Sequence, residues 1–422
     1  MRAAIAIAVL ALTAGILLLR DPDTRPEPPP EAAQPPAEQE PAPPPPQAAA
    51  PQPQPPQPEL GRINFIRNAT SSFDPFLEGT RPAERRWIAS TYWRIRAYHP
   101  FFAKAGALAW APPAHFYKDL YALYRDEPEY RQILEERPEW VLRDAQGAPL
   151  YIPADCNGES CTQYAADIGN RDFRSWWISR ARSTLAKGYA GIFVDDVNME
   201  MRVSDGAAES VAPVDPRTGR PMKPADWRRY VAVFTEEIDA ALPEAEIVHN
   251  AHWWVGHDDP FVRRQIAAAD LIELERGYND AGLTGGGGTF GLKTFMAHID
   301  WLHTRGKSVI LEPYDLDPAR QEYELAGYYL TRAGSDAIAS DFEADPGNWS
   351  PAWKTDLGTP LASRYAWNGL WRRNYARGIV LVNQPGRAPR TFRVRRFLRL
   401  SGQPATSVTL GPAEGVVLLR AG

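Results

Sequence analysis

Between residue 61 and about residue 340 the chain repeats one pattern: a short apolar run, a polar or glycine-bearing stretch, then a longer segment with helical spacing. The short runs lie at residues 63–66, 108–111, 164–168, 191–195, 246–249, 271–275, 308–312 and 336–340. Apolar runs of this length suit strands covered on both faces. Residues 171–187, 225–241, 292–305 and 320–333 have the length and apolar spacing of crossover helices. Repeated strand-helix units, eight in number, predict an α/β fold of the closed (β/α)8 TIM-barrel type over residues 61–360, rather than an open doubly wound sheet. No Gly-x-Gly-x-x-Gly word follows the first run, which argues against dinucleotide binding.

After residue 361 the pattern changes. A helix-like stretch at 362–376, read as a terminal barrel helix, precedes short β runs at 378–385, 391–394, 408–410 and 415–419. These predict a small antiparallel β domain within residues 361–422. At the other end, an uncharged run over residues 3–19 stands between Arg2 and Arg20. It reads as a signal peptide or signal anchor over residues 1–20, which implies export and a tether to the cytoplasmic membrane if it is not cleaved. Residues 21–60 contain 17 prolines. Proline fixes φ and removes amide donors, so this segment is expected to be an extended, disordered stalk.

Composition narrows the partners. The formal net charge of −5 supplies no global attraction to nucleic acid. The 14 Trp and 17 Tyr suit the faces of sugar rings as well as ordinary cores. Cys156 and Cys161, an even pair around a glycine in an exported chain, predict a small disulfide loop near the active-site rim.

The chemistry sits where the runs end. In Gly191-Ile-Phe-Val-Asp-Asp, Asp195 and Asp196 arrive together at the end of the fourth run, the end at which barrels place their active sites. Side chains alternate along a strand, so one of the two faces the barrel mouth, and Asp195 is that one; Asp196 holds a loop or supports it. In Asp270-Leu-Ile-Glu-Leu-Glu, Glu273 and Glu275 share a face and are expected to look inward, with Glu275 nearer the end. Asp195 as nucleophile or general base and Glu275 as general acid make the carboxyl pair that glycoside hydrolysis requires. Asp167, Asn250, His252, Trp253, Trp254, Tyr278, Glu312, Tyr314 and Asp341, at or after other run ends, are candidate substrate contacts. No cofactor is expected. The competing class is a metal-dependent barrel hydrolase using His249 or His252 with Asp195 or Asp196; a third is a non-catalytic sugar-binding protein. Residues 285–288, four consecutive glycines, read as a flexible active-site loop or lid, or as a plain surface turn.

Several words bear a family resemblance: Arg137-Pro-Glu-Trp-Val-Leu-Arg-Asp with Gly147-Ala-Pro-Leu, Ala166-Asp-Ile-Gly-Asn with Phe173 and Trp176, Gly191-Ile-Phe-Val-Asp-Asp, and Ala269-Asp-Leu-Ile-Glu-Leu-Glu. They resemble the bacterial glycoside-hydrolase-like barrels, in particular the group numbered fifteen, over roughly residues 61–422. The resemblance implies a (β/α)8 barrel with a small C-terminal β domain that acts on polysaccharide or oligosaccharide. Related barrels carry a carboxylate after the fourth strand and a Glu after the sixth, matched here by Asp195 and Glu275. Two successive Asp, and Glu273 in addition to Glu275, are departures.

Overall fold

The structure, a computed structural model, describes residues 63–70, 73–78, 81–98, 108–125, 127–207, 210–314, 317–340 and 344–421. The signal segment, the proline-rich stalk and Asp341 lie outside the described residues. Eight parallel strands form a closed barrel: β1 (Asn64–Ala69), β2 (Arg94–Ala97), β3 (Ala114–Asp119), β4 (Gly191–Asp195), β5 (Glu246–Asn250), β6 (Leu271–Glu275), β7 (Ser308–Glu312) and β8 (Ala337–Ser340). Each pairs with the next, and β8 pairs back onto β1.

Two of the expected strands are corrected. Residues 108–111 form a turn, and residues 163–165 make a two-stranded antiparallel ribbon with residues 122–124, outside the barrel. The true second and third strands, Arg-Ile-Arg-Ala and Ala-His-Phe-Tyr-Lys-Asp, were hidden because their inward residues are polar and charged. An apolar-run criterion finds strands with apolar interiors and passes over these.

Alternation divides each strand between two environments. Phe65, Ile95, Phe116, Ile192, Ile247, Ile272, Val309 and Ile338 face the helices and belong to the large core. Ile66, Phe193, Val248, Leu271, Ile310, Ala337 and Ala339 fill the barrel interior. Outside run helices α1 (Pro82–Thr91), α2 (Pro128–Glu136), α3 (Arg171–Leu185), α4 (Pro224–Ala241), α5 (Pro260–Ala267), α6 (Leu292–His303) and α7 (Pro318–Thr331). Several start at side-chain caps: Asn170 accepts from the amides of Asp172 and Phe173, and Asp317 from those of Ala319 and Arg320. None of the described helices is long and apolar enough to cross a membrane.

The remaining strands, β9 (Tyr365–Trp367), β10 (Leu370–Tyr375), β11 (Gly378–Asn383), β12 (Arg390–Leu398), β13 (Pro404–Leu410) and β14 (Glu414–Arg420), form an antiparallel sheet in the order β9-β10-β11-β14-β12-β13. Thus residues 362–376 are not a helix. Asn368 and Gly369 both have positive φ and turn β9 into β10, a tight hairpin for which an Asn-Gly pair is suited. Val380, Val382 and Val417 point from this sheet into the barrel's helix layer, while Ile379, Leu381, Val416 and Leu418 build a second core. The sheet meets α7 closely: a Cβ on Gly415 would stand 2.8 Å from that of Ala326.

The barrel's own closeness is testable at Gly191, where a Cβ would stand 2.2 Å from the carbonyl oxygen of Glu246 on the adjacent strand. Backbone in a closed sheet yields little, so Gly191→Ala is expected to cost about 1–3 kcal/mol, as overpacked cores do. Urea unfolding should show a lower midpoint; an unchanged midpoint would refute so tight an approach.

Candidate active site

The last inward side chains of the strands converge at the C-terminal mouth: Asn68, Arg96, Tyr117, Asp119, Asp195, Asn250, Glu273, Glu275 and Glu312. Their floor is a buried charge cluster. The Arg96 guanidinium, 1% exposed, bonds both Glu273 and, at 3.1 Å, Glu312, and lies 3.7 Å from the centre of the Phe193 ring. Asn68 donates to Glu312 from the far side. Burial alone would raise both carboxyls. On Glu312 it is outweighed by Arg96, Glu273 and Asn68, which hold the group below its usual range, whereas Glu273 stays well above it. Two buried carboxyls thus share one guanidinium in the barrel's centre, with Arg96 bonded to both oxygens of Glu273 and one of Glu312.

Above this floor stand the two carboxylates expected from the sequence. Asp195 receives three donors: the Tyr117 hydroxyl, the Asn250 side-chain amide at 2.8 Å and the amide of Asp196 at 2.8 Å. The same Asn250 nitrogen donates to Glu275 at 3.3 Å, so one amide group spends its hydrogens on both carboxylates. Glu275 is raised above its usual range by burial and by the Asp195 and Glu312 charges, against the pull of Asn250 and Arg276. The residue after each carboxylate has left-handed backbone, Asp196 with φ 55° and Arg276 with φ 66°. Strands β4 and β6 thus turn away at once, leaving Asp195 and Glu275 at the rim. Conformations of this kind cost a non-glycine residue about 1–3 kcal/mol and gather at functional sites. Asp196 points into its own turn, accepting from Asn198 at 2.9 Å and facing Arg202 at 3.6 Å.

Asp119 and Tyr117 were not anticipated, because the third strand was misplaced; the alternation of His115, Tyr117 and Asp119 against Phe116 was the available signal. The Tyr117 hydroxyl touches Asp119 at 2.8 Å as well as Asp195, and Tyr124 donates to Asp119 at 2.6 Å. A phenol has one proton to give. When Tyr117 donates to Asp195, Asp119 must supply the proton for the other contact. Burial and the Asp195 charge push Asp119 up to about 6, in keeping with that role.

The other expected residues divide. Asn250, His252, Trp253, Trp254 and Glu275 line one cleft of about 370 Å³, together with Glu200, Arg202, Arg276 and Asp280. Trp254 stacks on His252, with ring centres 4.1 Å apart, while Trp253 is mostly buried against Phe295. Tyr314, exposed, places its hydroxyl 3.4 Å from Glu312. Glu312 belongs to the floor. Tyr278 is a correction: it is buried on Gly327, its hydroxyl bonded to Thr331, because the turn after β6 sends it into the helix layer. Asp167 is another; it is buried in a paired contact with Arg217 beyond the ribbon and does not join the mouth cluster. Cys156 and Cys161 are disulfide-linked, in a loop bonded to Gly206. His249 faces outward and bonds Gln265 of α5, which separates it from Asp195 and removes it from the metal-site alternative. Among the described residues, no three His, Cys, Asp or Glu side chains are grouped to hold a metal ion.

A closed parallel barrel with buried acid-base pairs at its C-terminal mouth is the arrangement of a hydrolase active site. A family model described as hypothetical glycosyl hydrolase family 15 matches residues 114–379, well over half of the chain, and the chain belongs to that family. The match begins at β3 and ends in β11, so it is shorter than the 61–422 resemblance expected. The chain is similar in fold to the glycoside hydrolase domain of PelA from Pseudomonas aeruginosa, at 14% identity and TM-score 0.39, covering 68% of this chain and 96% of that one. It is also similar to a noncanonic maltogenic alpha-amylase, AmyB, from Thermotoga neapolitana, at 12% identity and TM-score 0.47, covering 85% and 98%. A cyclic alpha-maltosyl-(1→6)-maltose hydrolase from Arthrobacter globiformis matches at 14% identity and TM-score 0.41, covering 86% and 99%. No curated protein matches the chain.

The proton on Asp119 can be observed directly. Infrared difference spectra should show a buried carboxyl band that disappears with a midpoint of about 6 and is absent from Asp119→Asn. The folded value lies above the unfolded value of about 3.9, so this group lowers stability as pH rises from about 4 to about 6. Melting temperatures across that window should fall less steeply in Asp119→Asn; an identical slope and a surviving band would reject the assignment.

Proposed function

We propose that this protein is a retaining glycoside hydrolase that cleaves glycosidic bonds in a polysaccharide or oligosaccharide, with Asp195 as nucleophile and Glu275 as acid/base. The observation that carries the reading is the shared amide of Asn250. Contacts of 2.8 Å and 3.3 Å from one nitrogen bring the nearest oxygens of the two carboxyl groups within roughly 6 Å of each other, which supports a close-set pair of the retaining kind.

In the first step an Asp195 oxygen attacks the anomeric carbon as the bond to the leaving oxygen breaks, and Glu275 gives that oxygen its proton. The product is a glycosyl ester of Asp195 and a free hydroxyl on the departing sugar. Water then attacks the same carbon, losing its proton to Glu275, and the ester bond to Asp195 breaks. Both carboxyl groups return to their starting forms. Tyr117 and Asn250 fix the orientation of the attacking carboxylate, and the Asp195 charge, which adds to the rise of Glu275, disappears when Asp195 is esterified. The same carboxyl is thereby prepared to act as base. We further propose that the enzyme works outside the cytoplasm, a reading supported by the Cys156–Cys161 disulfide and by the sequence of residues 1–60.

Asp195→Asn and Glu275→Gln should each lower turnover of unactivated glycosides by ~100-fold or more, since positioned acid-base and nucleophilic groups contribute at least that much. The loss in Glu275→Gln should shrink on activated aryl glycosides, which also serve as probes for rescue. Azide should restore Asp195→Ala as a glycosyl azide of inverted configuration and Glu275→Ala as one of retained configuration. An inverted first-formed sugar from the parent enzyme, seen by proton NMR, would overturn the assignment of Asp195 as nucleophile. The acid must be protonated for cleavage of unactivated glycosides, so the raised position of Glu275 predicts activity that persists past the ordinary carboxylate range and falls as pH rises through it. That alkaline limb should be missing in Glu275→Gln assayed on a substrate whose leaving group needs no proton.

A further inference from the structure

The glycine run at residues 285–288 has no part in the chemistry above, yet it is tied to its surroundings by specific contacts. The loop from Thr284 to Gly291 is closed on itself: the Thr284 amide donates to the Phe290 carbonyl at 2.8 Å, and the Leu292 amide to the Thr284 carbonyl at 2.8 Å. The Gly288 carbonyl accepts from both the Gly291 amide and the Thr294 hydroxyl at 2.8 Å, which winds the loop onto the start of α6. Its base rests on the C-terminal domain. The Gly286 amide donates to the Gln384 side chain at 3.1 Å, and a Cβ on Gly285 would stand 2.5 Å from the Pro385 carbonyl oxygen. Any larger residue at 285 would push the loop off this support.

What the loop holds in place is Phe290. Its ring is 47% exposed, although it sits in a fixed frame. It lies 5.8 Å from Trp254 and 6.3 Å from Trp253 between ring centres. Trp253 is anchored on Phe295 at 5.2 Å, so the group is fixed from beneath. Trp254 and Trp253 also line the cleft that contains Glu275, where Glu200, Arg202, Arg276 and Asp280 offer hydrogen-bonding groups beside the rings. An apolar ring face bordered by carboxylates and guanidinium groups matches a sugar ring, which has apolar C–H faces and a hydroxylated edge.

We propose that Phe290 and Trp254 form a sugar-stacking subsite beside the carboxylate pair, so that the enzyme holds a chain of several sugar units, and that Gln384 of the C-terminal domain positions it through the glycine loop. The proposal rests on the glycoside hydrolase reading for its ligand class. The C-terminal sheet then has a role in substrate binding without contacting substrate.

The test uses the full chain carrying Asp195→Asn, titrated by tryptophan fluorescence with cellohexaose, maltohexaose and chitohexaose. At least one hexasaccharide should bind, and adding Phe290→Ala or Trp254→Ala should raise its Kd by ~10-fold or more, the size of effect expected of an aromatic anchor. Gln384→Ala should raise it less while leaving the melting temperature unchanged. Tyr365→Ala, an exposed aromatic on the C-terminal sheet, should have no effect. An unchanged Kd in Phe290→Ala, or no binding by any hexasaccharide, overturns the subsite. Phe290-dependent binding by a parent enzyme that cleaves none of these sugars would instead retain the subsite and reject the hydrolase reading.

Discussion

The polar floor of the barrel's mouth depends on one guanidinium. Glu273 and Glu312 project inward from β6 and β7, and neither could be buried there as an isolated charge. Arg96, from the opposite side of the barrel on β2, meets both, and Asn68 on β1 completes the bonding of Glu312. Four strands are joined through a single cluster. Its one positive charge is shared by two carboxyls, which limits the negative charge that the floor of the mouth presents to the carboxylates above it. Replacing the cluster with apolar side chains would fill the same space, but it would leave Asp195 and Glu275 standing on a dry floor without hydrogen-bonding groups.

From that floor the mouth rises in a second layer whose groups share protons and donors. Asn250 links Asp195 to Glu275, and Tyr117 links Asp195 to Asp119. Asp195 is the junction of both links, and the three donors around it favour a fixed carboxylate. Asp119 and Glu275, each raised above its usual range, in part by the Asp195 charge, flank it. Neighbouring carboxyls of different proton affinity are what acid-base chemistry needs from a rigid site. The left-handed residues Asp196 and Arg276 set where this layer ends, since each turns its strand aside immediately after the reactive group.

The C-terminal sheet is joined to the barrel more intimately than a passive appendage requires. Its β11 and β14 valines enter the same core as α7, and the amide of Val417 bonds Glu322. The turn that follows β11 then supports the loop that follows β6. A change in the sheet therefore reaches the mouth through packed atoms and the hydrogen bond from the Gly286 amide to the Gln384 side chain.

The sequence alone determined that this is a β/α barrel followed by a β domain, because strand-helix repeats and short alternating runs are local patterns. It also determined that Asp195 rather than Asp196 faces inward on β4 and that Glu273 and Glu275 share the inward face of β6, because strand parity is a local rule: Phe193 and Leu271 lie in the barrel interior, so Asp195, Glu273 and Glu275 must share it. Parity requires only that a strand be recognised. Where the interior is polar, as in β2 and β3, the apolar run disappears and with it the signal for Arg96, Tyr117 and Asp119. The Asn-Gly hairpin at residues 368–369 is equally local, but the helical spacing of the residues around it conceals it. Only the tertiary structure decided that Tyr278 turns into the helix layer, that Asp167 pairs with Arg217, and that Asn250 stands between residues 195 and 275. These outcomes depend on which remote strand or helix lies within a few ångströms, and closure of the barrel, unlike strand parity, is a property of the whole chain.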